Sequence, residues 1–176
     1  MKQHHVPPPG TSKDPTSRRI AGRAQNDHII DTYKSTRRLS EPTRCPTCGA
    51  VYHRGRWQWM EHPPADAHEE VCTACHRIND KYPAGIVTLQ GPFVREHKEE
   101  ILKLARRQEE LEKGEHPLNR IMAIEEQAPD TLVVTTTDIH LPRRIGEATR
   151  RAFHGDLELH YDEQNYFVRV NWERMT

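Results

Sequence analysis

Four cysteines carry the clearest chemistry in this chain of 176 residues, as Cys45-Pro-Thr-Cys48 and, after 23 intervening residues, Cys72-Thr-Ala-Cys75. Two residues between cysteines let a tight turn aim both sulfurs at one ion, and amide N–H groups in that turn can hydrogen-bond the thiolates. Gly49 follows Cys48, where such a turn often takes a positive φ. Two such pairs predict one structural zinc ion held in a closed tetrahedron by Cys45, Cys48, Cys72 and Cys75. A catalytic zinc keeps one position open, and four thiolates leave none, which argues against hydrolysis. Iron suits the same sulfurs, and a redox dithiol is another reading. His53, His62, His68 and His76 lie nearby and could replace a cysteine, but with four thiolates already present each reads first as an exposed loop residue.

Between the cysteine pairs runs Tyr52-His53-Arg54-Gly55-Arg56-Trp57-Gln58-Trp59. Aromatic planes stack on splayed bases and guanidinium groups grip phosphate, so Arg54, Arg56 and Trp57 are candidate RNA contacts. The competing reading is that the tryptophans pack a small module that has little other core. A second cationic set, Arg143, Arg144, Arg150 and Arg151, falls on a predicted helix, where it suits a phosphate backbone. There the bland alternative is a solvated face, with Glu147 four residues from Arg143 as an ion-pair partner.

The chain is neutral overall, with 26 Lys and Arg against 26 Asp and Glu. The balance hides an asymmetry: residues 1–44 hold nine basic and four acidic side chains, an excess that the remainder cancels. A basic arm suits a polyanionic partner, and Arg18, Arg19, Arg23, Arg37 and Arg38 are its candidate RNA contacts. A merely solubilising tail is the alternative. With apolar residues at 34 %, part of the chain is expected to lack a core. No apolar run reaches the ~18 residues of a membrane span, and the polar, proline-rich opening does not read as a signal peptide. A cytoplasmic location is therefore expected, where cysteines stay reduced and bind metal. Nucleotide-loop, nucleophile-elbow and metalloprotease signatures are all missing, so neither an enzyme nor a small-molecule substrate is expected.

The elements that must position these residues follow from periodicity. Residues 1–40 read as an arm that orders only on a partner or against the body, and residues 41–83 as loops held by metal. Residues 84–176 read as a folded α+β unit. Ala84–Val94 predicts a strand and Arg95–Lys113 a helix with Ile101, Leu104, Ala105 and Leu111 inward, ended by Gly114. Its many Glu, Lys and Arg residues read as a salt-bridge-laced exposed face. Arg120–Gln127 and Thr131–Thr137 predict strands around an Ala128-Pro129-Asp130 turn. Asp138 caps the next helix, Pro142 fits its first turn, Leu141, Ile145, Ala148 and Ala152 form its stripe, and Gly155 ends it. Two alternating strands, through Leu157–Tyr161 and Tyr166–Trp172, close the chain. The order β-α-β-β-α-β-β matches a ferredoxin-like split β-α-β unit with one added strand, after a four-cysteine zinc ribbon and an extended basic arm.

Cys45-Pro-Thr-Cys48-Gly, Cys72-Thr-Ala-Cys75-His-Arg, Tyr82-Pro-Ala-Gly85, Thr135-Thr-Thr-Asp-Ile-His-Leu-Pro-Arg-Arg-Ile-Gly146 and Ala152-Phe-His-Gly155 together resemble small bacterial zinc-ribbon proteins. More remotely, they look like the N-terminal part of the nonsense-mediated-decay-type adaptor of archaea and eukaryotes that exports the large ribosomal subunit. The likeness covers residues 44–174. It implies metal ligation by the four cysteines and binding to the large subunit. On this resemblance and the basic arm, the chain is expected to be a non-catalytic, ribosome-associated RNA-binding factor. It would contact large-subunit rRNA in hibernation under stress, in regulating translation or in maturation. The alternative is a zinc-stapled protein-interaction module in stress or redox regulation.

Overall fold

The computed structural model describes residues 30–35 and 37–176. Arg18, Arg19 and Arg23 therefore lie outside the described residues, as does most of the expected arm. The arm's end packs against the body. Asp31 accepts from the buried Arg77 guanidinium at 2.8 Å, and Tyr33 lies 4.4 Å from that guanidinium, face on. Ile30 forms a parallel bridge with Asn165.

The cysteine region holds more regular structure than loops alone. Strands β1 (Thr43–Arg44), β2 (Val51–His53), β3 (Arg56–Gln58) and β4 (His68–Glu69) form a sheet in the order β3-β2-β1-β4. Tyr52 stands opposite Trp57 across the β2–β3 hairpin, and this aromatic pair supplies cross-strand packing that metal-held loops would not need. The Glu41 carboxylate accepts the Arg54 and Gly55 amides at 3.0 and 2.9 Å and so fixes the hairpin tip. Helix α1 (Thr73–Asp80) follows directly on Cys72.

The body comprises β5 (Gly85–Gln90), α2 (Pro92–Glu96), α3 (Lys98–Glu115), β6 (Ile121–Ala128), β7 (Thr131–Thr136), α4 (His140–Phe153), β8 (Asp156–Tyr161) and β9 (Val168–Glu173). The α+β class holds. The five strands lie in the order β6-β7-β5-β9-β8, with β5–β9 parallel and the other pairs antiparallel. The split β-α-β of β5, α3 and β6, with β7 between its strands, is present. The extra strand sits inside the sheet: β9 takes the place against β5 and leaves β8 at the edge.

Inward-facing Val87 and Leu89 of β5, Leu132 and Val134 of β7, and Val168, Val170 and Trp172 of β9 meet Leu141 and Ile145 of α4 and Ile101 and Ala105 of α3. Helix α4 approaches β9 so closely that a Cβ on Gly146 would stand 2.6 Å from Val170. Hence the stripe of α4 includes a glycine that hydropathy alone does not select. No described helix covers the opposite face of the sheet, which carries Ile86 and Val133 on the central strands and exposed Arg169, Asn171 and Glu173 on β9.

Several boundaries shift from expectation. Gly91-Pro92 ends β5 and starts α2, because Pro at the first helical position cannot continue a ladder. Gly114 does not end α3, which runs to Glu115 just before His116-Pro117. Leu111 is 44 % exposed, whereas Glu112, one residue on, is buried. Glu112 accepts from Asn119 at 2.9 Å and from Arg144, so a satisfied carboxylate takes the inward position. Burial opposes its ionisation, but those two donors outweigh it and hold its pKa below the ordinary value. Ala152 is exposed, because Phe153 turns inward at the end of α4.

Asp138 caps α4 as expected: one carboxylate oxygen accepts the His140 and Leu141 amides at 2.7 and 3.0 Å. The other oxygen is buried without a partner, and burial pushes the Asp138 pKa up. Asp138→Ala is therefore expected to cost about 1 kcal/mol, lowering the melting temperature by about 4–8 °C. Asp138→Asn keeps the cap without the buried charge and should lose less. Thermal unfolding of the two variants side by side checks this order.

Candidate functional site

The four cysteine sulfurs lie within 4.8 Å of one another. Cys45 and Cys75 are 3.8 Å apart, as are Cys48 and Cys72. A tetrahedron with metal–sulfur bonds of about 2.3 Å has edges of about 3.8 Å, so the cluster fits one metal ion with no open position. None of the four neighbouring histidines joins it.

The two cysteine pairs reach the site differently. The first is a tight turn: the Gly49 amide donates to the Cys45 carbonyl at 2.9 Å, and Gly49 takes the expected positive φ of 81°. The second is a helix start. Cys72 is the N-cap of α1, and its sulfur accepts the Cys75 amide at 3.4 Å. The first turn of a helix presents unpaired N–H groups and the positive end of its dipole, so it favours thiolates. The Cys72 amide, in turn, donates to the Cys45 sulfur at 3.3 Å.

Sequence reasoning missed Arg120. This residue just before β6 is buried, and its Nη2 lies 3.3 Å from the Cys72 sulfur and 3.5 Å from that of Cys75. Burial works against its charge, but the sulfurs beside it outweigh that cost and raise its pKa further. Four thiolates around a divalent ion leave a net charge of −2, and Arg120 neutralises part of it from the body. The Cys48 thiol, hydrogen-bonded by Cys72, is held down to about 4, while that contact and burial push Cys72 up. A divalent ion among the sulfurs would supply positive charge at this crowded site. Only a buried cation distant in sequence but close to two cysteines would have marked Arg120, and that is a tertiary relation.

Leu118 packs against the cysteine cluster, and the Trp59 indole donates to the Lys113 carbonyl at 2.7 Å. Trp57, a candidate RNA contact, also packs against the cysteines and is half-buried. Both tryptophans thus have structural work.

The candidate arginines divide. Arg143 pairs with Glu147 at 2.8 Å, and Arg144 pairs with the buried Glu112. Arg37, Arg38, Arg54, Arg56, Arg150 and Arg151 are all exposed and pair with no carboxylate among the described residues. Arg37 and Arg38 share a groove with Gly55 of the hairpin tip, whereas Arg150 and Arg151 sit in the last turn of α4. Helix α3 carries the expected ion pairs, including Arg107–Glu110 and Lys98–Glu126.

Fold and site together define an α+β chain with a four-cysteine centre able to hold one metal ion. Compared with protein families, curated proteins and solved structures, the chain finds no match in any of the three. Among the described residues no helix is long and apolar enough to cross a membrane.

Proposed function

We propose that this chain is a non-catalytic RNA-binding factor, stapled by one zinc ion, that acts on the large ribosomal subunit in the cytoplasm. The observation that carries the RNA reading is that six of the candidate arginines, Arg37, Arg38, Arg54, Arg56, Arg150 and Arg151, are exposed and pair with no carboxylate among the described residues. Unpaired guanidinium groups retain their full attraction for phosphate, whereas paired ones must first give up a partner. The assignment to the large subunit rests on the family resemblance of the cysteine and Thr135–Gly146 motifs, and a role in hibernation or maturation follows from it. Zinc is the natural occupant of a closed all-thiolate tetrahedron, and elemental analysis should read one zinc per chain.

The test is co-sedimentation with ribosomal subunits at two salt concentrations. Replacing Arg150 and Arg151 together by alanine should weaken binding and reduce the salt slope by about 0.9 per lost contact. Replacing Arg143, already neutralised by Glu147, should change it less. Absence of the protein from every ribosomal fraction, in growth and in starvation, rejects the reading.

A second reading, a protein-interaction module in stress or redox regulation, draws on the uncovered sheet face. Glu125, Asp156, Glu158 and Glu173 are exposed there, beside Arg169 and His160. An acidic face repels RNA and suits a protein. Retention of a protein partner after nuclease treatment would favour this reading.

A further inference from the structure

We infer that the groove between the arm's end and the hairpin of the metal module takes one unstacked base of a single-stranded RNA. Its flanking phosphates would lie on Lys34, Arg37 and Arg38. The inference rests on the RNA reading above and gives it a particular site.

The groove has a volume of about 440 Å³. That is at the small end of ligand sites, which run about 300–1,000 Å³, and suits a nucleotide. Tyr52 and Trp57 both line it; they stand opposite each other across β2 and β3 and so share one face. Their ring centroids are 5.6 Å apart at 61°, edge to face. Trp57 is pinned against the cysteine cluster. It buttresses Tyr52, whose ring is therefore held in place before any base arrives. A preset aromatic plane is what base stacking requires, at little entropic cost.

The rim supplies the charge. Lys34, Arg37 and Arg38 line the groove, are exposed, and pair with no carboxylate among the described residues. Of the two carboxylates along the groove, Asp31 is engaged by Arg77, which leaves Glu70 and the Cys72 sulfur, itself partnered by Arg120, as the opposing groups. The Asp31–Arg77 pair and the Ile30–Asn165 bridge anchor the segment that leads into these cations. Cations beside an aromatic plane are the groups that hold single-stranded RNA without reading its sequence. A duplex keeps its bases stacked inside and offers nothing to Tyr52.

The experiment uses the full metal-loaded chain and a fluorescein-labelled RNA hexamer of mixed sequence, alone or in a blunt duplex, read by anisotropy over a salt series. The single strand should bind at least about tenfold tighter than the duplex. Tyr52→Leu should cost roughly 5- to 150-fold, the range for a lost base stack, with an unchanged salt slope. Arg37→Ala combined with Arg38→Ala should lower that slope by about 1.4, at about 0.7 per phosphate on a single strand. Metal content measured on each variant verifies the module; if Tyr52→Leu sheds its metal, the double arginine variant decides alone. Equal affinity for strand and duplex overturns the inference, as does wild-type hexamer binding by both variants. Wild-type co-sedimentation with ribosomes beside a hexamer indifferent to the groove would sink this site and leave the ribosomal reading standing. Failure of the wild type to bind the hexamer, together with its absence from every ribosomal fraction, would sink both.

Discussion

Cys48→Ser is expected to release the bound metal and unfold residues 41–83, while residues 84–176 stay folded. The reason is the unequal size of the two cores. The buried residues of the module's cluster are Cys45, Cys72, Ala74 and Cys75, with Trp57, Val71 and Leu118 packed at their edges. Three of those four buried residues are cysteines of the site, and outside the cluster residues 41–83 bury only Ala50 and Val51 as apolar side chains, so apolar burial without metal is slight. The body's own core spans helices α2, α3 and α4 and the three central strands, with Trp172, Leu89, Ile101 and Leu141 fully buried. A structural zinc contributes about 10–16 kcal/mol of binding energy that is also folding energy. Losing one ligand removes much of it, and the short strands of the module cannot replace it. Limited proteolysis with elemental analysis reads the result: new cleavages confined to residues 41–83, a resistant C-terminal fragment and no bound metal. A chelated chain whose cysteine region resists protease as before would show that the sulfurs do not hold the module together.

Arg120→Met should weaken metal binding by about 10- to 100-fold, the usual effect of removing an outer partner of a ligand. Arg120 donates to two of the four sulfurs from within a buried contact, so methionine keeps the packing volume and deletes only charge and donors. The effect should be conditional. Once the metal is stripped and the module opens, the position faces water in both proteins, and body stability should be nearly the same with Arg or Met. The difference between the loaded and stripped comparisons is a coupling energy between ligand cluster and body. Arg120→Lys, which retains the charge on a single donor group, should fall between. Competition with a chelator for the bound metal gives the affinity, and denaturant unfolding gives the stability. Equal metal affinity in all three proteins would remove Arg120 from the site.

Periodicity and spacing were enough to place most elements and to pick out the four cysteines that cluster. Two C-x2-C pairs specify a four-sulfur site because the geometry is local on each side: a turn at Cys45–Gly49 and a helix start at Cys72–Cys75. Alternation in Val168, Val170 and Trp172, and the 3.6-residue stripe of Leu141, Ile145 and Ala148, specify which faces turn inward, because those periods belong to the backbone itself. The cap at Asp138 was legible for the same reason, since its acceptor serves amides two and three residues away.

What only the tertiary structure decided involves partners far apart in the chain. The position of β9 inside the sheet depends on which strand best covers β5. The burial of Glu112 in place of Leu111 depends on Asn119 and on Arg144 of another helix. Arg77, buried between Asp31 and Tyr33, reads in the sequence as one more surface cation. The division of the arginines into those paired with a carboxylate and those with none among the described residues follows from where carboxylates arrive. Arg120 is the sharpest case: its charge is tolerated in the interior because two sulfurs more than forty residues away in sequence come within hydrogen-bonding reach. Electrostatic energy depends on distance through space and on burial, and neither is a property of position along the chain.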